Sequence, residues 1–290
     1  VSQSIFKNCS SATDFHYTFY DCDLLTSVGD DIFMNCSAAT DFFRTFENCI
    51  SLTSIGDNVF EGCVSASDFD RTFKGCASLM SVPVGLFSTT ALINQASYTF
   101  HGCSDLTTIP SGLFMGCSLV PSFSFTFYKS GLTSIPANTF ANCVSATNFE
   151  YTFQSTDIIS IPPGLFDDCV VVNFGNTFEL CGLLTSIPSG LFNNSPAVTD
   201  FGATFEFCSS LTDVPAGLFD TQTVATNYSN TFKNCALSST SVDNVLVSLD
   251  STGITDGTVK LTGGTNQAPT ATGLAASSSL SSKGWSVVTV

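Results

Sequence analysis

Residues 72–90 read TFKGCASLMSVPVGLFSTT: a Thr-Phe pair, a Cys three residues after the Phe, a short apolar stretch ending in Val-Pro, then another Phe. Close variants stand on either side, TFENCISLTSIGDNVFEGC at 45–63 and TFHGCSDLTTIPSGLFMGC at 99–117. Aligned on these words, residues 5–244 divide into nine units beginning at Ile5, Ile32, Val59, Leu86, Leu113, Thr139, Leu165, Leu191 and Leu218, each 26 or 27 residues long. A period of that length is the signature of a solenoid or array, in which one unit cannot bury its apolar face alone. Each unit holds the same idea twice, a Phe, a Cys three residues later, then a short apolar alternation. This predicts a helical turn followed by a short strand, twice per coil.

The phenylalanines carry the core. Two columns are complete, running from Phe6 to Phe219 and from Phe19 to Phe232, and a third holds Phe15, Phe42, Phe69, Phe123, Phe149, Phe174 and Phe201, so that 25 of the 28 Phe belong to ladders. Like rings stacked coil on coil make a continuous interior. The Thr before the second Phe is unbroken from Thr18 to Thr231, which suits an N-cap or a buried hydroxyl ladder. The 13 Cys fall in two columns, but their vacant positions hold Thr90, Ser130, Thr156, Ser195 and Gln222. Those residues leave no oxidised partner, so buried thiols acting as small hydrophobes are expected rather than a disulfide framework.

Composition narrows the function classes. With 8 Lys and Arg against 24 Asp and Glu, a net charge of −16 repels phosphate backbones and argues against nucleic acid. No apolar run approaches the ~20 residues of a membrane-spanning helix, so membrane insertion is not expected. The chain starts at Val1 and residues 1 to 4 run straight into a repeat, so an upstream region is expected.

The TFxxCxxLTSIPxGLFxxC phrase resembles the repeats of BspA-like leucine-rich-repeat proteins, over residues 5–244, and the period lies in the leucine-rich-repeat range. The resemblance implies inward Phe, Cys, Leu and Ile with a strand after the Leu. It also implies an extracellular surface adhesin or interaction module at a cell or virion surface, since similar repeats occur on phage tail-fibre tips. A second Phe-x-x-Cys word stands here where the usual repeat has a longer loop. The fold expected is therefore a leucine-rich-repeat-like solenoid of nine coils, mainly short β-strands with short helical turns, over 5–244. A C-terminal αβ capping segment at 245–290 closes it, with a helix near 242–250, a strand at 258–262, a helix near 270–282, a strand from Trp285 to Val290, and Trp285 as a buried anchor.

Catalysis finds little support. His16 and His101 lie in different units without a fixed acidic or nucleophilic partner, no phosphate loop appears, and no cofactor is expected. An acidic column, Asp14, Asp41 and Asp68, reads as a solvated face or as a calcium ladder. The more informative column stands just before the unbroken Thr: Tyr17, Arg44, Arg71, Tyr98, Phe125 and Tyr151, then Asn176, Ala203 and Asn230. Three residues on come Tyr20, Glu47, Lys74, His101 and Tyr128. Exposed, rigid aromatic and Arg side chains suit stacking on sugar faces or a protein hot spot, which makes Tyr17, Arg44, Arg71, Tyr98, Phe125, Tyr151, Lys74, His101 and Tyr128 the candidate binding residues for a cell-surface glycan or protein receptor. A self-stabilising Arg and Tyr stack is the alternative. Two other functions stay open: a structural repeat that forms homo-oligomers or joins an upstream fibre, and an ice-binding solenoid built on Thr26, Thr53, Thr107, Thr133, Thr185 and Thr212.

Overall fold

A computed structural model describes residues 4–290, so the expectation about what precedes Ile5 falls on residues 1–3, which lie outside the described residues. The chain divides into two compact units, Val1–Ala146 and Thr147–Val290.

In the first unit the Phe-x-x-Cys and Phe-x-x-Thr words form tight turns, each closed by the N–H three residues on: Cys36 to Phe33 (3.0 Å), Thr45 to Phe42 (3.2 Å) and Cys49 to Phe46 (3.2 Å). Alternate peptide N–H groups point instead along the repeat axis. Phe42, Arg44, Phe46 and Asn48 donate to the carbonyls of Asp68, Asp70, Thr72 and Lys74 at 2.7–3.0 Å, each 26 residues onward. The expected strands shrink accordingly. Parallel pairing survives as the two-residue β1 (Ser27–Val28) and β2 (Ser54–Ile55), in register Ser27 to Ser54, and as isolated bridges along Asp14, Asp41, Asp68 and Gln95. The reason is backbone hand: left-handed residues recur between the turns and stop an extended run before it lengthens. One such file holds Asp21, Asn48, Gly75 and Gly102 at φ 54° to 74°. Asn, Asp and Gly are the residues that accept this conformation most cheaply.

The interior follows the Phe columns. Like rings lie nearly parallel within a file, with Phe33 to Phe60 at 5.9 Å and Phe46 to Phe73 at 5.3 Å. Between files they meet edge to face, as Phe42 does Phe60 at 4.8 Å. Ala96 fills the gap in the third file and is fully buried. A turn interior leaves carbonyls with acceptor capacity to spare, and burying them unpaired is costly. Two side-chain files answer this. Thr45 Oγ1 donates within reach of both Phe42 O (2.8 Å) and Phe15 O (3.1 Å), and Thr72 repeats the arrangement one coil on. Cys49, Cys76 and Cys103 turn their thiols onto Phe19, Phe46 and Phe73 O at 3.0–3.2 Å. The hydroxyl-ladder reading of the Thr column is thus the correct one of the two.

The second unit repeats this chemistry, with Phe178 and Phe205 rings 5.4 Å apart, Thr204 bridging Phe174 and Phe201 O, and Cys208 on Phe178 O. It then changes. A parallel sheet runs in the order β3 (Asn227–Tyr228), β4 (Thr258–Lys260), β5 (Ser286–Val288), with α1 (Ser239–Ser251) and α2 (Ala271–Ser282) packed on each other. Ser238 and Thr270 are the N-caps, and α1 runs through Asn244. Side chains here pair with backbone groups about a repeat length or more away: Ser241 Oγ accepts from Val214 N, Ser248 Oγ from Phe219 N, and Asn266 Nδ2 donates to Phe232 O. Trp285 is buried, donates to Ile254 O at 2.8 Å and lies against Tyr228, so it is an anchor and not a ligand platform.

Three expectations follow. Ser130 and Ser195 stand in vacant thiol positions with buried hydroxyls that have no partner among the described residues. A longer Cys side chain reaches the Phe carbonyl one coil back, so Ser130→Cys and Ser195→Cys should each stabilise by on the order of 1 kcal/mol in urea unfolding, and a loss would contradict the capping role. Intact mass should be the same with and without reductant, since Cys36, Cys49, Cys63, Cys76 and Cys103 are buried free thiols. Finally, burial pushes the Cys49, Cys63, Cys181 and Cys235 thiols up from 9.0 to about 12, so the unfolded chain ionises first. Stability should hold below the unfolded thiol value and fall as pH climbs from there toward 12, and a flat urea midpoint across that window would refute it.

Candidate functional site

The residue before the unbroken Thr is left-handed throughout the first unit: Tyr17 (φ 55°), Arg44 (55°), Arg71 (58°), Tyr98 (59°) and Phe125 (58°). In that conformation the side chain projects sideways from the ladder, and with the period near one coil successive side chains fall on one another. Arg44 lies over the rings of Tyr17 (5.4 Å) and Phe43 (4.9 Å), and Arg71 over Phe43 (6.0 Å) and Tyr98 (4.8 Å). Tyr98 stacks in parallel on Phe125 at 4.6 Å. The structure therefore brings five of the candidates into one continuous stack.

The neighbouring row, three residues on, is also internally engaged. Glu47 is almost fully buried and takes Lys74 at 2.8 Å, while Arg44 Nε stands 3.1 Å from its other oxygen without aiming the N–H at it. His101 stacks on Tyr128 at 4.8 Å. Burial first, then the charge of Lys74, lowers His101 to about 4, so its ring is neutral at physiological pH.

Two corrections follow. The stripe was expected to be exposed, but only Tyr17 is (40%), while Arg44, Arg71, Lys74, Tyr98, His101, Phe125 and Tyr128 are half-buried. Lys74 is not an idle cation but the counter-ion of Glu47. The self-stacking that the sequence offered as the alternative is present, with Arg71 over the Tyr98 ring and Tyr98 parallel to Phe125. Tyr151 belongs to the second unit, where it is half-buried and left-handed (φ 58°), followed at the same backbone hand by Asn176, Ala203 and Asn230. Sequence reasoning missed Phe43, which lies between the two guanidinium groups. The signal was present: Phe43, Phe125 and Phe207 are the Phe left over once the three ladders are counted.

The acidic column has a structural task. Asp41 and Asp68 each accept the backbone N–H two residues on, at 2.8 and 2.9 Å, and Asn148, Asn173 and Asp200 do the same in the second unit. Asp14, His16 and Asp41 bring three metal-capable groups within 4.8 Å of one another, in exposed or half-exposed positions, and Asp68 is not part of that group. Asp14 Oδ1 holds both the His16 backbone N–H (2.9 Å) and its ring Nδ1 (2.5 Å), which lowers the carboxyl and raises the imidazole. The Thr file weighed for ice lies at the surface, and its hydroxyls bond along the repeat, with Thr53 donating to Thr26 O (2.9 Å) and Thr133 to Thr107 O (3.3 Å).

Among solved structures, the chain is similar to a leucine-rich-repeat protein from T. pallidum, with 15% identity over 70% of this chain and 62% of that one and a TM-score of 0.22. It is likewise similar to one from Bacteroides ovatus (20% identity, 73% and 69% covered, TM-score 0.21) and to a leucine-rich cell surface protein from Faecalibacterium prausnitzii (19%, 74% and 77%, 0.20). No curated protein matches. The family model of the BspA type leucine rich repeat region matches in six copies, over residues 1–107, 69–170 and 97–225. With its Phe, Thr and Cys files built on that repeat, the chain belongs to the BspA type leucine-rich-repeat family.

Proposed function

We propose that the protein is a non-catalytic, extracellular binding module of a cell or virion surface that recognises a protein receptor through the aromatic and Arg stripe. In this reading residues 5–244 form a nine-coil solenoid, and residues 245–290, with α1 spanning the junction, close it. The observation that carries the proposal is the choice of residue at the left-handed positions. Asn176 and Asn230 occupy this conformation at little cost, whereas Arg71, Tyr98 and Phe125 adopt it against a penalty of roughly 1 kcal/mol each. A column kept bulky where a cheaper residue serves the same backbone suits a surface selected for contact. A protein partner is favoured over a glycan because sugar stacking needs an open ring face, and Tyr98 has Arg71 on one side and Phe125 on the other.

The test borrows the chain's own alternative. Tyr98→Asn combined with Phe125→Asn should leave the melting temperature unchanged or raised, since strain is relieved and neither ring is fully buried. Against binders selected from a displayed peptide library, the double variant should lose about tenfold or more in affinity. Equal affinity for parent and variant would sink the proposal, and so would binding confined to a glycan array. A parent that elutes as an oligomer, dispersed by the same variant, would assign the stripe to self-packing instead.

A further inference from the structure

The stripe contains one guanidinium that no surrounding acid holds in a hydrogen bond or ion pair among the described residues. Arg44 has Glu47 three residues on, but the residue three beyond Arg71 is Lys74, and Lys74 itself turns back to Glu47 at 2.8 Å. Among the described residues the Arg71 side chain makes no hydrogen bond or ion pair, and its Nε is buried without an acceptor. The acidic group acting on it, Asp70, is turned to the Ser97 backbone N–H at 2.6 Å. The guanidinium carbon lies 6.0 Å from the Phe43 ring and 4.8 Å from the Tyr98 ring.

A buried donor without an acceptor is costly, and a guanidinium clamped between rings has already lost the rotamer freedom that binding would otherwise take. Its fork matches a carboxylate in two parallel hydrogen bonds, which a Lys at the same place could not form. The chain has only two Arg, in a molecule of net charge −16, and both are in this stripe. We propose that Arg71 is the specificity-determining residue of the stripe and that it takes the carboxylate of an Asp or Glu on the protein partner, seated beside the edges of Phe43 and Tyr98. The assignment rests on the stripe being the recognition surface.

The experiment selects binders to the full chain from a displayed peptide library and scores their acidic content. Enriched peptides should carry Asp or Glu, and Arg71→Gln should weaken them about tenfold or more, while Lys260→Gln, which removes the same charge from a residue that is not one of the stripe, should not. Arg71→Lys keeps the cation without the fork and should also weaken binding, which gives a second reading if Arg71→Gln fails to fold. Peptides without acidic bias that are still lost in the Tyr98→Asn, Phe125→Asn variant would overturn the role of Arg71 and leave the stripe standing. Peptides indifferent to all of these variants, or no enrichment at all, would overturn both. Heparin binding that depends on Arg71, with no acidic peptide selected, would overturn the partner class.

Discussion

Everything in this chain depends on how buried peptide carbonyls are satisfied. A helix or a long strand pairs its backbone with itself, but a succession of tight turns does not, and the carbonyls of the Phe residues point into an interior without water. The repeat supplies donors from one repeat onward: a Thr hydroxyl for the third Phe file and, where Cys is present, a thiol for the complete files. This is why Thr before the second Phe is unbroken while Cys is merely frequent. The Thr hydroxyl reaches two carbonyls at once, whereas a vacant thiol position can be filled by Gln222, whose Nε2 reaches Phe192 O at 3.3 Å, or left short, as at Ser130.

The same accounting explains the end of the second unit. The last Thr-Phe pair is Thr231-Phe232. There the side chains of Ser241, Ser248 and Asn266 pair with the peptide groups of Val214, Phe219 and Phe232, one group at a time. The Ser-rich composition there is therefore hydrogen-bonding capacity placed at set positions. Leu249 and Leu280 on the two helices bury the apolar remainder.

The core was readable because its periodicity and its chemistry coincide. Phe33 and Phe60, like Phe46 and Phe73, stand one repeat apart, and like rings at that spacing stack. The reduced state of the thiols was readable for the opposite reason, from the positions where the pattern failed. Strand content was not readable, because the apolar alternation after each Cys looks like a strand whether or not left-handed residues cut it short. The files of Asn and Gly at Asn35 and Gly62, and at Asn48 and Gly75, carried that information, with φ between 62° and 74°. At the stripe the hint was absent, since Tyr98 and Arg71 conceal a left-handed backbone that only Asn176 and Asn230, much further on, betray.

That concealment bears on what the stripe is for. Stability and recognition usually compete for a position, and the competition is visible where a residue contradicts its backbone. Here the contradiction is partly relieved by stacking: Tyr98 on Phe125 and Arg71 on Tyr98. Stacking offsets the backbone strain and immobilises the side chains, so the features that make the column tolerable also make it rigid. It does not neutralise Arg71, because a ring quadrupole attracts a cation without accepting its N–H groups in their plane. A structural stack would have no use for a guanidinium with a buried idle donor, since another aromatic ring between Phe43 and Tyr98 would complete it without the desolvation cost. The stack accounts for where Arg71 stands and how firmly it is held. In the proposed reading, its charge is the part that a partner matches.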